Sequence, residues 1–344
     1  MDSLLKSLRL PVIGAPMFLV SGPELVLAQC RAGILGTFPA LNARTSEQLD
    51  EWLDSLVGTL RSEGHEPAFG VNLINNRKAN ARLDADLAAC VRHKVPLVIS
   101  SLGLQPDVFD AIHSYGGKVI QTVISRHHAE KSIAAGVDGI VLVCSGAGGH
   151  CGTLNPLAFV EEVRSFYSGF LALSGCIVSG RGILSALAMG VDAAYIGTRF
   201  IATHESRAAE AYRQMIVDCG TADVVNTAFF TGVSANFLRP SIEAQGLDIA
   251  EIAKATPPAL KRMGAPASDA PGAGAGAGAN GGASAAGPGG EAAPQPSTAE
   301  YRSWRDIWGA GQGVGGIAAV ETVADVVARL EREYRDALDR LPRF

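Results

Sequence analysis

The segment Gly146-Ala147-Gly148-Gly149-His150-Cys151-Gly152 follows directly on the apolar run Gly139-Ile140-Val141-Leu142-Val143-Cys144. It reads as a strand that ends in a glycine-rich loop. Glycine lets the backbone take positive φ and approach a ligand closely, so the loop is able to wrap a flat cofactor while presenting one imidazole to it. His150 is therefore the first candidate for proton chemistry, because imidazole titrates near neutrality. Taken alone it reads equally as a surface histidine in a flexible loop, and other segments must decide.

Two further segments are built for an anion. Ser174-Gly175-Cys176-Ile177-Val178-Ser179-Gly180-Arg181-Gly182 precedes a helical pattern at Ile183 to Met189, and Ile196-Gly197-Thr198-Arg199-Phe200 lies shortly after it. Main-chain N–H groups at a helix start bind phosphate readily. Glycines also make plain turns, but two such loops on successive strands exceed what turns require. Gly14-Ala15-Pro16-Met17 is a rigid turn able to lie along a planar ring, or a simple proline turn. Asn72 in Val71-Asn72-Leu73 and Gln121 in Ile120-Gln121-Thr122 are amides inside apolar runs. Such groups must be hydrogen-bonded, either to the polar edge of a heterocycle or to neighbouring backbone.

These segments fall on a regular series of elements. Strand-length apolar runs occur at Pro11 to Met17, Ile34 to Phe38, Ala68 to Ile74, Pro96 to Ser100, Lys118 to Val123, Gly139 to Cys144, Phe170 to Ile177 and Ala193 to Phe200. Amphipathic helical patterns separate them, such as Ser46 to Leu60 and Asn80 to Val91. Near-continuous apolar strands alternating with helices predict a parallel sheet covered on both faces, and eight such units predict an α/β fold of the (β/α)₈ barrel type. An open doubly wound sheet would place its phosphate loop after the first strand, whereas here the glycine-dense strand ends come late. Barrel chemistry sits at the C-terminal strand ends.

Beyond the eighth strand, Arg207 to Cys219 reads as a helix and Thr221 to Leu260 as short helical and loop patterns. Residues 264–296 are dominated by Ala, Gly, Pro and Ser, which reads as a flexible linker. Val320 to Leu338 is a periodic closing helix. The expected organisation is a barrel from 1–219 and 301–344, with 220–300 inserted as a mainly helical lid that includes the linker.

Composition narrows the functional class. A hydrophobic fraction of 47% with 18% charged residues fits a globular enzyme. The net charge of −5 without a basic stripe argues against nucleic acid. No apolar run has the length of a membrane span, and the start has no signal-peptide core, so the expected location is the cytoplasm. The six cysteines form no CxxC pair, which argues against a disulfide framework or a metal site.

Taken together, Gly14-Ala15-Pro16-Met17, Gly70-Val71-Asn72-Leu73, Ala147-Gly148-Gly149-His150-Cys151-Gly152, Ser179-Gly180-Arg181-Gly182, Gly197-Thr198-Arg199-Phe200 and Gly309-Ala310-Gly311-Gln312-Gly313-Val314-Gly315 resemble the nitronate monooxygenase family, also called 2-nitropropane dioxygenases. The resemblance implies an FMN-binding barrel that oxidises alkyl nitronates, or nitroalkanes, with O₂. It implies His150 as catalytic base. It implies flavin contacts from Ala15, Pro16, Met17, Asn72, Gln121, Gly148, Gly149, Gly175, Cys176, Ser179, Gly180, Gly197 and Thr198. Arg239 is a further candidate, as a positive charge from the inserted segment. The chain departs from the family pattern at Val143-Cys144-Ser145-Gly146, where many members carry Gln-Gly-x-Glu, at Cys176, where a glycine is usual, at Ser179, where an aspartate is usual, and at Tyr195-Ile196. The flavin-dependent enoyl-thioester reductases that use NAD(P)H share these motifs, as do NAD(P)H:acceptor oxidoreductases of this fold. A non-catalytic flavin-binding protein is a third reading. A homodimer is left open.

Overall fold

The computed structural model describes residues 1, 4, 6–255 and 302–341. The expected linker at 264–296 lies outside the described residues. Eight parallel strands form the barrel: β1 (Val12–Gly14), β2 (Gly36–Pro39), β3 (Phe69–Ile74), β4 (Leu97–Ser101), β5 (Lys118–Val123), β6 (Gly139–Val143), β8 (Phe170–Ser174) and β9 (Ala193–Ile196). From β2 onward each pairs with the next, β9 returns to β1, and an isolated Ile13–Leu35 bridge joins β1 to the approach of β2. The first strand stops short of the expected Met17 because Pro16 has no N–H to continue a ladder.

Alternation within the strands divides the apolar side chains between two environments. Ile13, Leu97, Ile99, Ile120, Val141, Ala172 and Tyr195 fill the barrel interior, while Val71, Leu73, Val98 and Val119 face the surrounding helices. The helices follow their apolar spacing. In α2 (Ser46–Ser62), Leu49, Leu53, Leu56 and Leu60 are buried in one stripe, and Thr45 caps the start by accepting from Gln48 N–H. The remaining barrel helices are α1 (Pro23–Arg31), α3 (Leu83–Arg92), α4 (Pro106–His113), α5 (Arg126–Ala134), α6 (Pro156–Arg164) and α7 (Gly180–Ala188). No helix among the described residues is long and apolar enough to cross a membrane.

After β9 come two helices, α8 (Thr198–Ile201) and α9 (Glu210–Asp218), and then elements that the helical and loop patterns did not signal. Strands β10 (Val224–Thr227) and β11 (Ala235–Leu238) run antiparallel, and β11 also pairs with β7 (Gly149–His150). The histidine loop is thus the edge of a small three-stranded sheet. Short helices α10 (Arg239–Glu243) and α11 (Ile249–Ile252) follow, and Phe230, Phe237, Ile242, Leu247 and Ile307 form a separate apolar cluster. The chain closes with α12 (Val323–Asp339), whose Val323, Val326, Val327 and Leu330 join the cluster formed around α7 and β6.

Candidate active site

The strand ends surround a cavity of about 670 Å³. Its wall includes Ala15, Pro16 and Met17 after β1, Asn72 on β3, Gln121 on β5, Gly148, Gly149 and His150 after β6, Gly175 and Cys176 after β8, and Gly197 and Thr198 after β9. Asn42 pins the loop after β1: its amide donates to Met17 O at 2.9 Å and to Ser21 O at 2.7 Å, and accepts from Leu19 N–H at 2.9 Å.

The structure does not bring Ser179, Gly180 or Arg239 into that wall. Ser179 caps α7, its Oγ accepting from Gly182 N–H at 3.1 Å. Gly180 N–H donates to Glu333 Oε2 at 2.8 Å, so the carboxylate of α12 already occupies this helix start. A Cβ on Gly180 would come within 2.2 Å of Leu330 O and Tyr334 N. The glycine allows close contact with α12, and its N–H already has an acceptor, so it lies apart from the cavity's free donors. Arg239 opens α10 and borders a separate surface depression with Glu243 and Leu247.

At β8 and β9 the main chain supplies unmatched donors. The N–H groups of Gly175, Cys176, Gly197 and Thr198 donate to no group among the described residues, and Gly175 is buried. Buried backbone donors are seldom left unpaired, so Gly175 N–H calls for an acceptor, and the N–H groups of Cys176, Gly197 and Thr198, all in residues of the same cavity wall, are free to share it. Gly197 supports the same conclusion by a different route. Its φ of −109° is open to any residue, and the nearest atom to an added Cβ would be Ala15 Cβ at 3.4 Å. Nothing in the protein requires glycine at this position, whereas a ligand approaching the main chain would.

The amides divide differently from the sequence expectation. Asn72 Nδ2 donates to Ile99 O at 2.9 Å and Ser101 Oγ at 2.8 Å, and Thr122 Oγ1 donates to Ser101 Oγ at 3.1 Å. This places Asn72, Ser101 and Thr122 as one polar row across β3, β4 and β5. Gln121 follows the opposite parity and donates from Nε2 to Gly103 O at 3.2 Å, leaving Oε1 buried without a partner. Gln121 belongs to the cavity wall, but its Oε1 is enclosed by protein and does not open on the cavity. The polar row and the unmatched amides make the cavity fit a flavin cofactor, with polar groups for a ring edge on one side and N–H donors for an anion on the other.

His150 is held by parts of the chain far from it in sequence. Its backbone pairs with Ala235, its Nε2 lies 3.1 Å from Thr231 Oγ1, and its ring meets Trp304 edge-on at a centroid distance of 5.2 Å. Burial pushes the imidazole down from its ordinary value to about 4, so His150 is neutral at physiological pH. Asn236 ties the same loop to β11 by donating to Ala147 O at 2.7 Å. Thr231, Trp304, Ser101 and Asn42 were not found from the sequence. Trp304 carried one signal, as the aromatic residue where patterned sequence resumes after the low-complexity stretch.

Three of the five non-glycine residues at positive φ among the described residues line this cavity: Leu102 (56°), Cys176 (59°) and Trp304 (71°). Such strain collects at functional sites. Cys176 therefore occupies a left-handed position that suits glycine, and burial pushes its thiol up, away from the nucleophilic form.

Comparison with known proteins agrees with this geometry. The chain is 28% identical to a nitronate monooxygenase of Paraburkholderia phytofirmans, with 97% of this chain and 94% of that protein covered. Its fold matches a nitroalkane oxidase from Streptomyces ansochromogenes (TM-score 0.73, 24% identity, 99% and 100% covered) and FabK from Thermotoga maritima (TM-score 0.71, 22% identity, 98% and 96% covered). The family model described as nitronate monooxygenase matches residues 3–300, and the chain belongs to that family of flavin-dependent oxidoreductases.

Proposed function

We propose that the protein binds FMN noncovalently and oxidises alkyl nitronates, and the nitroalkanes that give rise to them, with O₂ to a carbonyl compound and nitrite. The observation that carries this reading is the coexistence, in one cavity wall, of four unmatched main-chain donors and a neutral histidine. The N–H groups of Gly175, Cys176, Gly197 and Thr198 hold the phosphate. The row of Asn72, Ser101 and Thr122, with Gln121 beside it in the wall, receives the polar edge of the ring, and Ala15, Pro16 and Met17 lie along it. Bound FMN supplies the electron transfer and oxygen chemistry.

His150 acts on the substrate. As a neutral imidazole it takes the α-proton of a nitroalkane, and the nitronate formed beside it raises its proton affinity, because an opposite charge favours the protonated ring. The described part of the inserted segment, 220–255, serves as a lid, since Thr231 and Ala235 from it contact His150 directly. Trp304 and Phe237, whose rings lie 5.0 Å apart, keep water from that side.

Purified protein tests this directly. The expected result is a yellow protein that releases FMN in acid, consumes O₂ and forms nitrite with alkyl nitronates. FAD as the released flavin would overturn the cofactor assignment. Anaerobic bleaching of the flavin by NADH or NADPH, without nitronate turnover, would move the protein to the enoyl-thioester reductases.

A further inference from the structure

Thr231 has one proton and two neighbours that compete for it. Its Oγ1 lies 2.9 Å from Val233 O and 3.1 Å from His150 Nε2. A carbonyl oxygen cannot donate, so a bond to Val233 O uses the hydroxyl proton and leaves Oγ1 as an acceptor. Val233 O receives no other donor among the described residues. Val233 N–H, 3.4 Å from the same Oγ1, adds a donor to Thr231 and does not change this assignment.

The tautomer of the ring follows. If Thr231 donated to Nε2 instead, Val233 O would lose the one donor it has among the described residues. The reverse arrangement keeps the donor to Val233 O and gives the Nε2 proton an acceptor in Thr231 Oγ1. Nε2 then carries the proton and Nδ1 the free lone pair.

We propose that Thr231 is a positioning residue that fixes His150 as the Nε2–H tautomer, so that Nδ1 is the atom that takes the substrate proton. The proposal rests on His150 being the base in the reading above. In the step itself the Cα–H bond breaks, the proton passes to Nδ1 and the electron pair remains on the substrate as nitronate. The ring then bears a positive charge, and the Nε2–H bond to Thr231 becomes charge-assisted and stronger. Thr231 thereby stabilises the protonated ring more than the neutral one, the condition under which a contact speeds a reaction.

The experiment is ¹⁵N NMR of ring-labelled histidine in the flavin-loaded protein, with His150 assigned by its loss in His150→Gln, together with steady-state kinetics. Wild type is expected to show a protonated Nε2 and a bare Nδ1. In Thr231→Val the fixed tautomer is lost, and kcat on neutral nitroalkane falls on the order of tenfold, while turnover of preformed nitronate stays within about twofold. Thr231→Ser restores both signals. A protonated Nδ1 in wild type, or an unchanged tautomer in Thr231→Val, overturns the proposal. If wild type turns over no nitroalkane, the functional reading fails while the NMR result still decides the tautomer.

Discussion

Along the loops after β8 and β9 the cavity offers bare main-chain N–H groups, and beside β6 it offers one side chain, His150, whose ring is met by Thr231, 81 residues further along the chain. The first region depends on backbone path and is indifferent to most side chains. Cys176 stands in a left-handed position where glycine would be easier, yet its N–H still points to no internal acceptor. The second region depends on several distant segments meeting at one ring. Cofactor occupancy and proton transfer should therefore respond to different substitutions.

The largest of the structural effects concerns the histidine region. His150 has a folded-state value of about 4 against 6.5 when exposed. Between these two pH values the unfolded chain binds a proton that the folded one does not, so stability falls as pH is lowered from 6.5 to 4 and is flat above that window. The loss attributable to this residue is about 3 kcal/mol at most. Denaturant unfolding of the apoprotein across this range, compared with His150→Gln, isolates it, and equal slopes in both proteins would contradict a buried neutral ring.

For the backbone region, Gly197→Ala should lower FMN affinity on the order of tenfold, because the added methyl enters space that the ligand needs and separates it from two N–H groups. The apoprotein's melting temperature should change little, since an added Cβ meets nothing closer than 3.4 Å. Flavin titration with a parallel melt checks both. Normal affinity would remove the loop after β9 from the phosphate site.

Gly180 sharpens the contrast from the other direction. Gly180→Ala should destabilise the fold by about 2 kcal/mol through its clash with Leu330 and Tyr334 in α12, and leave FMN affinity within a few-fold. Loss of flavin without loss of stability would reinstate Gly180 as a cofactor contact. The smallest effect is expected at Cys176→Gly, which relieves a positive φ and should stabilise by about 1 kcal/mol with flavin binding retained. A destabilised variant would mean that the cysteine side chain contributes packing that outweighs its strain.

The same contrast explains what was legible in the sequence. The eight barrel strands are apolar on both faces, so their runs stand out, and glycine spacing marks the loops at their ends. Strands β10 and β11 are four residues each, with Asn226 and Asn236 interrupting the apolar pattern, and neither signals a sheet. Gly180 and Gly197 look alike in sequence. Only the position of α12 separates a packing glycine from one that faces the cavity. Thr231 belongs to no motif, and its role exists only once β11 is laid beside His150. Thr122 was within reach, because alternation from the inward Ile120 brings Thr122, not Gln121, to the inner face of β5.

The central claim is that one cavity holds the flavin on main-chain donors and receives the substrate proton on His150. Its most direct test is the turnover of neutral nitroalkane and of preformed nitronate by flavin-loaded His150→Ala. The account predicts a loss of ~10² to 10⁴-fold on the nitroalkane, a much smaller loss on the nitronate, and FMN occupancy equal to that of wild type. Equal losses on both substrates, or none on either, would contradict it.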